Sequence, residues 1–277
     1  MRNFYFFSIL VSIFFLVSCN ENELIYNPIQ VDESFVAEPI PGLFQKNALI
    51  EDYTGTWCGN CTRVSYAIEK VQEESDRVVT IAIHNGNDPY HFVGIEPLKN
   101  LISHNNDLEL PQSRLNRTIT WTFPEVDNIQ QALNLTSNNC GLGLALNSTV
   151  ANGNLNITVK VKLAQNYENI KLVVYVLENK LYYRQFNYTS YFNEINPILN
   201  FEHNHVLRNS LTQLLGDAMT NTTFNQTLTT EFSLPIPTNI SNADNISFAA
   251  FVVDENNTVI NAREAYANEN QNFQENR

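Results

Sequence analysis

The feature that most constrains the fold is a strand, a cysteine pair and a helix in immediate succession, with a second strand behind them. Ala48-Leu49-Ile50-Glu51-Asp52-Tyr53 is a short apolar run that leads through Thr54-Gly55-Thr56 into Trp57-Cys58-Gly59-Asn60-Cys61. Over residues 62–74 the apolar side chains Val64, Ala67, Ile68 and Val71 recur at helical spacing. Residues 78–83, Val-Val-Thr-Ile-Ala-Ile, form a β-branched run of the kind buried inside an α/β sheet. Strand, helix and strand over so short a distance predict a βαβ unit, hence a parallel pair and a right-handed crossover.

The same reading extends to about residue 137, with a short helix over 97–103, a strand over 113–119 and a helix over 125–135 that has Pro124 near its start. From about Cys140 the period changes to two. Leu155, Ile157, Val159, Val161 and Leu163 alternate with polar residues, the mark of a half-buried strand. Further strands are expected over 142–146, 170–177, 181–188, 224–234, 246–253 and 258–262, with Asn-rich turns between them. One helix is expected over 206–219, where Leu207, Leu211, Leu214 and Leu215 stand three and four apart. The chain thus reads as an α/β domain over 42–137 and an antiparallel, immunoglobulin-like β-sandwich over 138–267, followed by a loose tail over 268–277.

The N-terminus points to export. Arg2 precedes an apolar run over 4–17 that fits a signal peptide and is shorter than the roughly 20 residues a spanning helix needs. The run ends in Leu16-Val17-Ser18-Cys19, which resembles a bacterial lipobox, so 1–18 is expected to be removed and Cys19 to carry lipid such as palmitate. Residues 19–41, with Pro28, Pro39 and Pro41, read as a tether. The formal charge of −13 disfavours nucleic acid and anionic lipid as partners. A hydrophobic content of 43% is ample for packed cores and excludes general disorder.

The cysteine pair carries the chemistry. At the start of a helix the free amide groups and the helix dipole favour a thiolate, which makes Cys58 the nucleophile. Cys61 lies near enough to resolve a mixed disulfide formed on Cys58. A bare CxxC can also be half of a zinc site or an inert disulfide, although a second CxxC and a suitably spaced His pair are lacking nearby. Asp52 precedes Cys58 by six residues, an arrangement that resembles thioredoxins, where an acid at that offset takes the proton of the resolving thiol; Glu51 competes for this role. The thioredoxin resemblance also implies that Leu110 and Pro111, with a cis bond between them, and Trp57 shape a peptide-binding groove. Asn60 stands where thioredoxins have proline, which leans the pair toward an oxidant or isomerase. His84, His203 and His205 are weaker candidates, the last two being expected on one face of a strand, and Cys140 reads as a buried free thiol.

Three segments carry a closer resemblance: Glu51 to Cys61, Leu110-Pro111 leading to Leu115-Asn116-Arg117, and His203-Asn204-His205-Val206-Leu207-Arg208. Together they resemble the Bacteroidota outer-membrane lipoprotein family called Omp-twenty-eight-related, in which a thioredoxin-like domain precedes a β-sandwich. The resemblance implies an outer-membrane, lipid-anchored protein on the periplasmic or cell-surface face. Two functions follow. One is a thiol–disulfide oxidoreductase or isomerase acting on exported proteins with an envelope redox partner, through Cys58, Cys61 and Asp52 and with no organic or metal cofactor. The other is a non-catalytic adhesin or receptor that uses the thioredoxin-like domain as scaffold.

Overall fold

The computed structural model describes residues 39–103 and 108–276; the signal segment, Cys19 and nearly all of the tether lie outside the described residues. After β1 (Phe44–Lys46), the runs β2 (Ala48–Thr54) and β3 (Val78–His84) are buried along their whole length. Uninterrupted apolar and β-branched strands of this kind need cover on both faces. Between them α1 (Thr62–Glu74) buries Val64, Ala67, Ile68 and Val71, the face set by their spacing. β2 and β3 run parallel, from Ala48 opposite Val78 to Thr54 opposite His84. This is the βαβ unit expected from the sequence.

α2 (Glu96–Ile102) follows, then β4 (Gln112–Leu115), which pairs antiparallel with β2, and the short β5 (Ile119–Thr120). The predicted helix near residue 125 is a 3-10 turn over Glu125–Asn128 that continues into α3 (Ile129–Leu133). The next strands are β6 (Ser137–Cys140), β7 (Leu142–Ala151), β8 (Asn154–Leu163) and β9 (Lys171–Glu178). β10 (Leu181–Gln185) and β11 (Ile198–His203) form a hairpin. β12 (Val206–Ser210), β13 (Asp217–Ala218), β14 (Thr227–Pro235), β15 (Ile246–Val253) and β16 (Val259–Tyr266) complete the chain. The protein is mostly β, with several sheets. Among the described residues no helix is long and apolar enough to cross a membrane.

The largest sheet has nine strands and runs β16-β15-β9-β12-β3-β2-β4-β5, with β13 on β9. A second sheet, β14-β8-β7, packs over it. The alternating residues Leu155, Ile157, Val159, Val161 and Leu163 of β8 meet Leu172, Val174 and Val176 of β9 and Phe248, Ala250 and Val252 of β15 in one core. That is the packing of two sheet faces expected of a sandwich. The opposite faces of β9 and β15 join Leu49, Tyr53, Val79, Ile81 and Ile83 in a second core. A third lies under α1, with Ala48, Ile50, Leu115 and Trp121.

Three expectations are corrected. The boundary at residues 137/138 is not a boundary of the sheet. β12 inserts between the two halves, antiparallel to β9 and parallel to β3 with Val206 opposite Ala82, and the described residues belong to one compact unit. The helix over 206–219 is absent, because Val206–Ser210 takes that strand position and the leucines that follow point into both cores from a loop. The tail is not loose. The Gln271 N–H bonds the Leu146 carbonyl at 3.0 Å, the Asn276 N–H bonds that of Leu43 at 2.8 Å, and Phe273 packs on Phe44.

Candidate functional site

β2 ends at Thr54, and the chain turns through Gly55 and Thr56 to reach α1. Asp88 holds this turn: its Oδ2 accepts the Thr56 N–H at 2.6 Å and lies 3.1 Å from His84 Nδ1, and its Oδ1 accepts the Tyr90 N–H at 2.8 Å. Burial works against the charge on Asp88. The hydrogen bond and charge of His84, with the two amides, outweigh it and bring the carboxyl down to about 2. His84 is therefore a packed residue that fixes the loop in front of the cysteines. Trp57, 45% exposed, donates from Nε1 to the Asn85 carbonyl at 2.8 Å. Its indole lies over Gly86, whose φ of +83° and missing Cβ let the ring approach.

Cys58 and Cys61 form a disulfide with a Cα–Cα distance of 5.4 Å. Cys61 is the N-cap residue of α1 and supplies no side-chain acceptor to the first turn. The positive end of the helix therefore acts on the sulfurs, and a thiolate on Cys58 gains from it once the bond is reduced. Cys58 is 6% exposed and Cys61 1%. The second cysteine is thus the more enclosed of the two.

Asp52 and Glu51 point to opposite faces of β2, as successive strand residues must. Glu51 lies on the face of the second core and is bound by Arg117. Asp52 shares the face of Ala48 and Ile50, under the first turns of α1. Its side chain is buried, and Oδ1 has no hydrogen-bond partner among the described residues. Burial pushes its carboxyl well above the usual range, the charge of Glu125 adds to the rise, and Arg63 partly offsets it. Arg63 and Glu125 form an ion pair at 3.0 Å just above it. Asp52 also lines a cavity of about 80 Å³ with Ser65, Ile68, His84, Gln185 and His203, which gives the buried carboxyl room for water.

The raised pKa of Asp52 couples stability to pH. The native state holds a proton on Asp52 that the unfolded state releases near 3.8, so the associated stability is full below that pH and is lost as pH rises through the native value. Asp52→Asn is expected to remove this slope and to raise stability above neutral pH by about 1–2 kcal/mol. Urea unfolding across pH checks this, and parallel curves for parent and variant contradict it.

The Leu110–Pro111 bond is cis. Because Gln112 pairs with Tyr53, Pro111 lies at the end of β2 where the cysteine loop begins. The Leu110 side chain packs against the second core, so only its backbone is offered to a groove. His203 and His205 do not share a strand face. His203 ends β11, is buried against His84 and Tyr90, and is lowered to about 3 by burial and by His84. His205, with φ +56°, turns toward Glu264 and Gln72. Among the described residues no group of three or more His, Cys, Asp or Glu side chains is disposed to hold a metal ion. Cys140 is a buried free thiol raised by burial.

The sequence did not reveal Arg63, Glu125 or Asp88, nor residues 185–191, which lie against the cysteine loop. Gln185 Nε2 donates to the Cys58 carbonyl at 3.0 Å. This contact joins positions 127 residues apart, and nothing local signals it.

A search of curated proteins finds no match to the chain. Among solved structures it is similar to HBP35 of Porphyromonas gingivalis, at 19% identity and a TM-score of 0.59, over 82% of this chain and 77% of that one. At this identity the likeness is one of fold. The family model described as outer membrane protein Omp28 matches residues 100–271, more than half of the chain. The chain belongs to the Omp28 family, and its place is the outer membrane.

Proposed function

We propose that the protein is a thiol–disulfide oxidoreductase of the outer membrane that acts on exported proteins through a thioredoxin-like site. The observation that carries this reading is the buried Asp52 carboxyl, whose Oδ1 has no hydrogen-bond partner among the described residues, set beneath a helix that starts at the Cys58–Cys61 disulfide. A carboxyl held well above its usual range by burial can take a proton from Cys61 and return it within one catalytic cycle. A purely structural disulfide has no use for such a group, and a buried carboxyl costs stability wherever it ionises.

The roles follow from position. Cys58, nearer the surface and in front of the helix, attacks or is attacked; Cys61 resolves; Asp52 exchanges the proton. Trp57 and the backbone at Leu110-Pro111 border the site, and the exposed Phe123 ring, with Arg63 over it at 4.9 Å, extends its apolar margin. Cys19 carries the lipid that holds this site at the membrane, and an envelope redox partner restores the disulfide.

Equilibration with glutathione tests the reading. With Asn60 between the cysteines, the expected potential lies at about −120 to −180 mV, the range of oxidants and isomerases. A potential below about −300 mV, typical of structural disulfides, would favour the adhesin or receptor that uses this fold as scaffold.

A further inference from the structure

Between β10 and β11 the chain leaves the hairpin and crosses the cysteine loop. The Phe186 N–H donates to the Thr56 carbonyl at 3.0 Å, and the Tyr188 N–H to that of Gly59 at 2.8 Å. Gln185 Nε2 donates to the Cys58 carbonyl at 3.0 Å and lies 3.3 Å from that of Gly55. Thr62 Oγ1 lies 2.8 Å from Asn187 Oδ1, to which it can donate. Carbonyls on both sides of Cys58 are thus occupied by one extended segment of the same chain. The Tyr188 ring rests on Gly59: a Cβ there would lie 2.3 Å from Tyr188 Cδ2, so the ring needs the glycine.

The attachment is one-sided. Gln185 and Asn187 are buried pins, while Tyr188 is 66% exposed. Tyr191 stacks on Tyr66 of α1 with centroids 4.4 Å apart. Directly after it, Phe192, Asn193 and Glu194 all take left-handed backbone, with φ of 55°, 58° and 58°. Three such non-glycine residues in succession are strained. A segment that is pinned at Gln185 and Asn187, exposed at Tyr188 and Ser190 and ends in a strained turn opens most easily at its exposed end.

We propose that residues 185–191 form a strap lying where an extended polypeptide substrate binds, and that the preferred substrate presents an aromatic side chain to Gly59 in place of Tyr188. This rests on the oxidoreductase reading and adds the substrate class. Extended chains satisfy backbone acceptors of this kind by main-chain hydrogen bonds and gain specificity from single side-chain shelves. In the oxidised protein the substrate displaces the strap, and its first thiolate attacks the Cys58 sulfur. The Cys58–Cys61 bond breaks, and Cys61 leaves as a thiolate that is then protonated. A second substrate thiolate attacks the mixed disulfide and releases the Cys58 thiolate. Two electrons pass from the substrate dithiol to the protein, and the substrate leaves with a disulfide.

Two short synthetic dithiol peptides test this, one with tyrosine beside its first cysteine and one with serine there. Tyr188→Ser, at an exposed position, leaves the fold intact. It is expected to speed reduction of the Cys58–Cys61 disulfide by the tyrosine peptide about tenfold, the effect of freeing one ring contact. The serine peptide should react more slowly than the tyrosine peptide in both proteins. In the mixed disulfide that the Cys58 thiolate of Cys61→Ser forms by attack on the oxidised, disulfide form of the tyrosine peptide, amide-exchange protection at Phe186 and Tyr188 should disappear. Equal rates for Tyr188→Ser and parent, with protection retained in the adduct, overturn the strap while leaving the redox reading standing. An oxidised protein whose Cys58–Cys61 disulfide is reduced by dithiothreitol but by neither peptide, in any variant, overturns both.

Discussion

Cys61→Ser is expected to turn the protein into a trap that accumulates mixed disulfides with exported proteins, while Cys58→Ser accumulates none. The asymmetry has a structural cause. Cys58 stands ahead of α1 at 6% exposure, whereas Cys61 is the helix N-cap at 1%, above the buried Asp52. With serine at position 61 the Cys58 thiolate still attacks, but no thiol within reach releases the adduct. In the reduced parent protein, Cys58 should also react with iodoacetamide faster than Cys61, because the helix start favours its thiolate and its sulfur is less enclosed. Non-reducing electrophoresis of envelope extracts reads the trapping directly. Equal and slow alkylation of both thiols, together with an absence of trapped species for either variant, would assign the site to a scaffold.

How much of this was legible in the sequence depends on how local the causes are. The βαβ unit was, because helical spacing at Val64, Ala67, Ile68 and Val71 and the apolar runs on either side are self-contained signals. So was the sandwich core, since β8 advertises its buried face by strict alternation. The union of the halves was not. β12 contributes a parallel bridge to β3 and an antiparallel pairing to β9, and neither partner is written in Val206–Ser210 itself. Leu207, Leu211, Leu214 and Leu215 imitate helical spacing because a strand and a loop happen to deliver them to adjacent cores.

The site divides in the same way. The cysteines declare themselves by their spacing, with Glu51 and Asp52 as the two candidate acids before them, all within one supersecondary unit. The strap does not. Gln185 and Asn187 lie in a stretch that reads simply as strand, and their meaning comes only from the return of the hairpin over the loop. The sequence leaves open a choice between Glu51 and Asp52; the pleat of β2 puts them on opposite faces, and we propose Asp52 because Glu51 is held by Arg117. That resolution rests on Arg117, a residue the family resemblance includes but whose role no local pattern gives.

Arg117→Met is expected to destabilise the protein by about 3–5 kcal/mol, the cost of stripping one partner from a buried ion pair. The Arg117 side chain is fully buried. Its Nε and Nη2 donate to Glu51 Oε1 at 3.1 and 3.0 Å, Nη2 also donates to the Tyr175 hydroxyl at 2.8 Å, and the guanidinium lies 4.7 Å from the centre of the Phe251 ring. One cation thereby ties β2 to β9 and β15, the junction between the two halves. Asn116 before it, also left-handed, accepts the Leu49 N–H through Oδ1 at 2.9 Å, so the backbone delivers the arginine to a fixed point. With methionine at 117, Glu51 is left as an unpaired buried charge and takes up a proton to escape it. The loss should therefore be largest at alkaline pH and shrink as pH falls and Glu51 becomes neutral. Glu51→Gln added to Arg117→Met should recover much of the loss and remove its pH dependence, because the penalty comes from the orphaned carboxylate more than from the missing attraction. Urea unfolding with an unchanged slope measures all three proteins. A single variant within about 1 kcal/mol of the parent, or a double variant no better than the single, would mean that Glu51 finds water or another partner when Arg117 is gone. Glu51 would then rejoin Asp52 as a candidate acid. If the pair is as tightly closed as its geometry indicates, Arg117→Met kept below its unfolding temperature should still trap substrates once Cys61→Ser is added. That outcome would show that attack by Cys58 does not depend on the Glu51–Arg117 pair.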